Sequence, residues 1–397
     1  MRRLLAVIVL VLAAPAGARA AAPPPAVPTA AAAIVVDGRS GEVMLGDHPD
    51  MRRPIASTTK LMTALLALER AKPHDVFTAP PYNALPAESR IDLRAGERMT
   101  VHDLLEALLL ESANDAAVTI AQGVAGSREA FVEEMNERAA ELGLTNTSYA
   151  NPIGLDDPEN YSTARDLAAL ARRLMRRPRF ARIVDMPEAE LESGAHTRVV
   201  DNRNDLVANY PWVTGVKTGH TLEAGEVLVG SGRGPGGAMV ISVVLGEPSE
   251  AARDADTLRL LRWGLDRFHR VGVLDRNRTL ARADIEYRDE RAALVPRRGV
   301  TMTLRDGERV RRRVRAPDEV KGPLRAGSRV GTVTVLVDGR PVRRVALVTA
   351  SSVPEAGTFR ILFSVLGVPL TSVILLAILL AAVLTAIRVR VRLRIVR

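Results

Sequence analysis

A serine hydroxyl followed three residues later by a lysine amine is the first pair in this chain with chemistry within reach. It stands in Pro54-Ile55-Ala56-Ser57-Thr58-Thr59-Lys60-Leu61. Pro54 bars a helix from starting much earlier, and the run from Leu61 to Arg70 is rich in strong helix formers. Ser57 is therefore expected in a first helical turn, sharing a face with Lys60. A hydroxyl is a weak nucleophile, but a neutral amine one turn away can take its proton. Unpaired N–H groups at the helix start favour negative charge nearby. Taken alone, the pair reads more simply as a helix cap followed by a surface lysine.

Two further triplets change that balance. Ser112-Ala113-Asn114 falls in a break between two apolar helices, where an extended loop points a hydroxyl and an amide the same way. Lys217-Thr218-Gly219 enters a strand, and its glycine lets the backbone approach a substrate closely.

The elements that must position these groups follow from local pattern. Ala33 to Asp37 and Glu42 to Gly46 flank Gly38-Arg39-Ser40-Gly41 as a β-hairpin. Helices are expected over Leu61–Arg70, Leu104–Leu110, Ala116–Val124, Arg128–Leu142 and Thr163–Arg177, the last stopped by Pro178. Val227–Gly230 and Ala238–Leu245 read as paired strands, and Ala251–Phe268 as a closing helix. Strands at both ends with helices between them predict an α+β domain over residues 33–270, with helices against one antiparallel sheet. Residues 271–352 change to short alternating strands. Asp306-Gly307 and Asp338-Gly339 there each predict a tight hairpin in a small all-β domain.

The ends carry topology. Residues 1–20 have the charged start, apolar run and Ala18-Arg19-Ala20 site of a secretory signal, and residues 21–32 form an Ala/Pro-rich linker. No charged residue lies between Arg360 and Arg388, so 361–387 is expected to be a transmembrane helix. The arginines of residues 388–397 mark a basic cytoplasmic tail, which leaves the body of the chain outside the cell membrane.

Composition closes off other classes. The chain has no cysteine, which removes disulfides, thiolate metal sites and cysteine nucleophiles. No H-E-x-x-H motif is present, so a zinc peptidase is disfavoured and no metal or other cofactor is expected. The net charge of +9 raises nucleic acid as a partner. The arginines, however, form no basic domain interleaved with aromatics, which are only 3% of the chain, so no nucleic acid is expected.

The ordered set S-x-x-K, S-x-N and K-T-G is known from β-lactamases and penicillin-binding proteins. The likeness extends to Leu61-Met62-Thr63-Ala64-Leu65, Met135-Asn136-Glu137-Arg138-Ala139, Asn151-Pro152-Ile153-Gly154-Leu155, Tyr161 to Leu167, and His220-Thr221 after the last triplet. With these segments the chain resembles the low-molecular-mass D-alanyl-D-alanine carboxypeptidases, penicillin-binding serine peptidases of the β-lactamase/transpeptidase-like superfamily that trim peptidoglycan stem peptides. The resemblance implies that Ser57 attacks the bond between two D-alanines to form an acyl-enzyme, with Lys60 as base and Ser112 relaying a proton. It implies that Asn114, Lys217, Thr218, Gly219, His220 and Arg253 hold the peptidoglycan pentapeptide. The Ser57 and His220 N–H groups would form the oxyanion hole, and β-lactam antibiotics would be covalent inhibitors. A β-lactamase on the same scaffold is the first rival, but Ser148 to Leu155 lacks the glutamate that rapid deacylation commonly uses. An inactive wall-binding scaffold is the second, and it would most simply have lost Ser57, Lys60 or Lys217.

Overall fold

Ala32-Ala33-Ile34-Val35-Val36 is a short unbroken apolar run, the pattern of a strand covered on both faces. In the computed structural model, which describes residues 23–25 and 29–395, it becomes β1 (Ala32–Asp37), buried along its whole length. β2 (Val43–Asp47) follows across the expected turn. Much later come β3 (Val213–Thr221), β4 (Gly225–Arg233) and β5 (Met239–Glu247). The five strands form one antiparallel sheet in the order β2-β1-β5-β4-β3, with Val35 opposite Ser242 and Lys217 opposite Val229.

Side chains alternate between the faces of a strand, so β1 feeds two cores. Ile34 and Val36 join a large cluster with Leu61, Leu65, Leu104 and Ile120, supplied by α1 (Lys60–Arg70), α2 (Val101–Glu106) and α3 (Asn114–Ala125). Ala33 and Val35 join Leu260, Leu261 and Leu265 of α4 (Glu250–Leu265) on the other face. Helices thus cover both faces of the single antiparallel sheet that the sequence pattern predicts. This arrangement sets α1 and the start of α3 beside the edge strand β3, so the three motifs come from three different elements.

This unit ends at His269, and a second begins at Arg270. The second contains a six-stranded sheet in which β6 (Val310–Arg315), β7 (Arg329–Val337) and β8 (Arg340–Thr349) are successive neighbours. Val333, Val335 and Leu347 line its core. The Asp338-Gly339 turn joins β7 to β8 as expected, with φ of 48° and 81°, the left-handed pair that a tight hairpin needs. Asp306-Gly307 does not make a hairpin. The strand before it, Val300–Arg305, belongs to a separate two-stranded sheet, and β6 pairs with β7 instead. A dipeptide sets the turn but not which sheet the next strand joins.

The secretory-signal reading of residues 1–20 lies outside the described residues. The C-terminal segment forms α5 (Thr358–Ile395), 38 residues long. Among the described residues, however, no helix is long and apolar enough to cross a membrane. The transmembrane helix expected over 361–387 therefore has no support among the described residues. The side chains at 362–371 and in the basic tail beyond 388 lie outside the described residues.

Candidate active site

Ser57 sits in a 3-10 turn, Ala56–Thr59, that runs directly into α1 at Lys60. The hydroxyl is one tight turn before the α-helix rather than inside its first turn, and Ala56 before it has φ of 46°. Lys60 is fully buried, yet its Nζ donates to Ser57 Oγ at 2.8 Å and to Ile153 O at 2.6 Å. The loop carrying Ile153 is folded around Asn151, whose Oδ1 accepts from the N–H groups of Ile153, Gly154 and Leu155. Thr63 Oγ1 donates to Pro152 O at 2.7 Å and ties the same loop to α1. Gly154, at φ +94°, passes so close that a Cβ there would lie 2.0 Å from Ala56 O.

Burial is the main force on Lys60, and the charge of Lys217 adds to it, so its pKa falls well below the usual lysine range. A neutral amine that keeps one N–H on Ile153 O can instead turn its lone pair along the 2.8 Å line and accept from Ser57 Oγ. That is the geometry of a general base beside its nucleophile.

Ser112 and Asn114 come together by a different route from the extended loop expected for them. α2 widens into a π-turn over Ala107–Glu111 and ends on Ser112 in the left-handed conformation, φ 64°. Ala113 N then donates back to Ala107 O, and Asn114 opens α3. Among the described residues the Ser112 hydroxyl has no hydrogen-bond partner, although the residue is buried. Asn114 Nδ2 donates to Glu88 Oε2 at 2.7 Å, which leaves its Oδ1 as an acceptor for an incoming N–H.

Glu88 was not visible as a site residue in the sequence. It lies in a Pro-rich loop with no motif around it, and only the fold brings it to Asn114. Its carboxylate also accepts from Tyr82 OH and from Leu85 N at 2.8 Å. Burial alone would raise its pKa, but the bonds from Tyr82, Leu85 and Asn114 hold it below the usual value. Asp115 secures the same segment by accepting from Ile91 N and Leu93 N.

β3 supplies the third motif as the sequence predicted. Lys217 is 1% exposed, and its Nζ donates to Thr218 O at 3.1 Å. Burial, then the charges of Arg203 and Arg253, push its pKa down to about 7. Gly219 is required: a Cβ there would lie 2.8 Å from Ser57 N. The strand thereby brings its backbone against the nucleophile turn, with Thr218 buried beside it and His220 exposed just beyond.

Arg253 stands apart from this group in its contacts. It is buried on α4, and its guanidinium is occupied by three carboxylates, Glu226, Glu250 and Asp254, each at 2.8 Å. Glu226 in turn meets His220 Nδ1 at 3.0 Å. Arg253 thus reaches the motif strand through Glu226 and His220, and by its field at Lys217, with one N–H of each of its three nitrogens already committed. Arg203, which the sequence reading passed over, also acts on Lys217 and is paired with Glu111. Among the described residues one His-carboxylate group, His102, Asp103 and Glu106, could hold a metal. Asp103 is already engaged by Ser193, whose N–H donates to it at 2.7 Å.

Comparisons with known proteins fall on both units. Residues 18–249 match the family described as D-alanyl-D-alanine carboxypeptidase, and residues 268–355 match the C-terminal domain of penicillin-binding protein 5. D-alanyl-D-alanine carboxypeptidase DacA of Escherichia coli (strain K12) is 32% identical, with 82% of this chain and 84% of that protein covered. DacF of Bacillus subtilis (strain 168) is 29% identical, over 84% of this chain and 88% of that protein. Among solved structures, penicillin-binding protein 5 from Haemophilus influenzae aligns at a TM-score of 0.60 and 29% identity. The alignment covers 84% of this chain and 100% of that one.

Proposed function

Because the chain belongs to the D-alanyl-D-alanine carboxypeptidase family of low-molecular-mass penicillin-binding proteins, serine-type hydrolases, we propose that it removes the terminal D-alanine of peptidoglycan stem peptides through a Ser57 acyl-enzyme. One observation carries the mechanism: the 2.8 Å contact between Ser57 Oγ and the buried amine of Lys60. Ser57 Oγ attacks the carbonyl between the two D-alanines while Lys60 takes its proton. Negative charge develops on the carbonyl oxygen, facing the N–H groups of Ser57 and His220. Single donors of this kind are worth roughly 3 kcal/mol in other serine hydrolases. Collapse expels D-alanine, whose amine receives a proton by way of Ser112. Water then attacks the ester carbonyl, Lys60 accepts its proton, and Ser57 is restored. Lys217 and Thr218 face the terminal carboxylate, and Asn114 Oδ1 accepts from the peptide N–H.

A penicillin offers the same carbonyl chemistry in a strained ring, so it acylates Ser57 too. The envelope location of such a substrate agrees with the signal-like pattern of residues 1–20. Attachment to the membrane at the C-terminus is supported by the uncharged run 361–387 and the arginines after it.

The test is the purified enzyme with a D-Ala-D-Ala peptide and with labelled penicillin. D-alanine release with slow, stable labelling is expected, and Ser57→Ala should lose both while remaining folded. Label retained on Ser57→Ala at wild-type stoichiometry would sink the assignment. Rapid penicillin turnover without D-alanine release would favour a β-lactamase.

A further inference from the structure

The net charge of the chain has no outlet in the chemistry above. Residues 271–352 hold 19 Lys and Arg against 10 Asp and Glu, so this segment alone equals the +9 of the whole chain. The structure concentrates part of that excess on one surface. In β6, Val310, Arg312 and Val314 lie opposite Val337, Val335 and Val333, the residues of the buried face. Arg311, Arg313 and Arg315 therefore project from the other face, and all three are exposed. Thr334 of β7 lies between Arg313 and Arg344 of β8, so the row Arg313-Thr334-Arg344 crosses three strands. Among the described residues none of these four arginines has an acidic partner. Arg312, on the inner side, donates instead to Val273 O at 2.7 Å.

We propose that this sheet face docks on the anionic headgroup surface of a lipid bilayer. The arginines form a two-dimensional array, about 7 Å apart along β6 and about 10 Å across to β8. Such an array fits a plane of phosphates better than a single polyanionic strand. β6, β7 and β8 contain no aromatic residue, so the face lacks the stacking surface that bases or sugars would use. Only residues 350–357 separate β8 from α5, which keeps the face near whatever that helix enters. For its access to lipid the proposal rests on the membrane attachment proposed above.

The test uses the full chain with Thr334→Cys as its single cysteine, labelled with a fluorophore and reconstituted into vesicles. One set is phosphatidylcholine, the other phosphatidylcholine with phosphatidylglycerol, each containing a headgroup quencher. Flotation with the neutral vesicles reports attachment alone, and its failure would count against the anchor rather than the face. Quenching at residue 334 reports docking, and it is expected to be severalfold stronger with phosphatidylglycerol. It should vanish in a variant with Arg311, Arg313, Arg315 and Arg344 all changed to Gln, whose apparent affinity falls on the order of a thousandfold. About 1 M salt should abolish quenching in the unmodified face, a control that needs no arginine variant to fold. Equal quenching in both vesicle types, or quenching that survives salt, would overturn the proposal. Binding of soluble polyphosphate without quenching by vesicles would do the same and assign the face to a polymer.

Discussion

In the proposed mechanism Lys217 carries two duties that its pKa makes measurable. It must be protonated to attract a carboxylate, and its charge helps keep Lys60 neutral. With a pKa pushed down to about 7 by burial and by Arg203, it loses its proton as pH rises through neutrality. The kcat/KM for D-Ala-D-Ala peptides should therefore show a falling limb near pH 7, and Lys217→Gln should abolish that limb. The same change removes a positive charge near Lys60, so the Lys60 pKa rises and the acidic limb of penicillin acylation moves to higher pH. The move is partial, because burial is the larger cause at Lys60. The loss in kcat/KM should be roughly tenfold to hundredfold, as for a charged hydrogen bond. The pH profiles of wild type and variant check this. An unmoved acidic limb would leave Lys60 tuned by burial alone.

At the scale of elements, the loop 151–155 sets the base. It delivers Ile153 O to Lys60 and packs Gly154 against the nucleophile turn. Gly154→Ala puts a methyl into Ala56 O and strains a backbone at φ +94°, so the turn or the loop must move. Penicillin acylation should fall at least tenfold. Gly126→Ala is the control: its φ is +81°, but a Cβ there meets nothing within 4 Å. It should lower the melting temperature and leave the acylation rate within about twofold, since strain of order 1 kcal/mol sits far from Ser57. Equal acylation loss in both variants would mean that the loop acts only through global stability.

For the whole molecule, every group assigned to the reaction precedes His269, where the first unit ends. Deleting residues 359–397 should release an enzyme that retains kcat/KM for a soluble peptide within about twofold. D-alanine release by the truncated chain measures this, and a tenfold loss would place a contribution of the tail in the site.

The sequence by itself determined the three motifs, their order and most of the helices and strands around them, but not the 3-10 turn at Ser57 or the π-turn before Ser112. What it determined depends on residue type and short-range periodicity: Ser57 and Lys60 need one turn between them, and Ala33 to Asp37 read as a hairpin strand from residue type. Asn151-Pro152-Ile153-Gly154-Leu155 was legible as a segment of the family resemblance, but its grip on the base was not, because Lys60 and Ile153 are 93 residues apart. Tertiary structure decided which carboxylates enter the site. Glu88 reaches Asn114, and Glu226 binds both Arg253 and His220, through contacts that no local pattern encodes. It also decided where the charge goes. A run such as Val310 to Arg315 is only an alternating strand until the register of β7 and β8 turns three of its arginines, with Arg344, onto one face. Local propensity is a property of neighbours along the chain, whereas convergence depends on how distant elements pack.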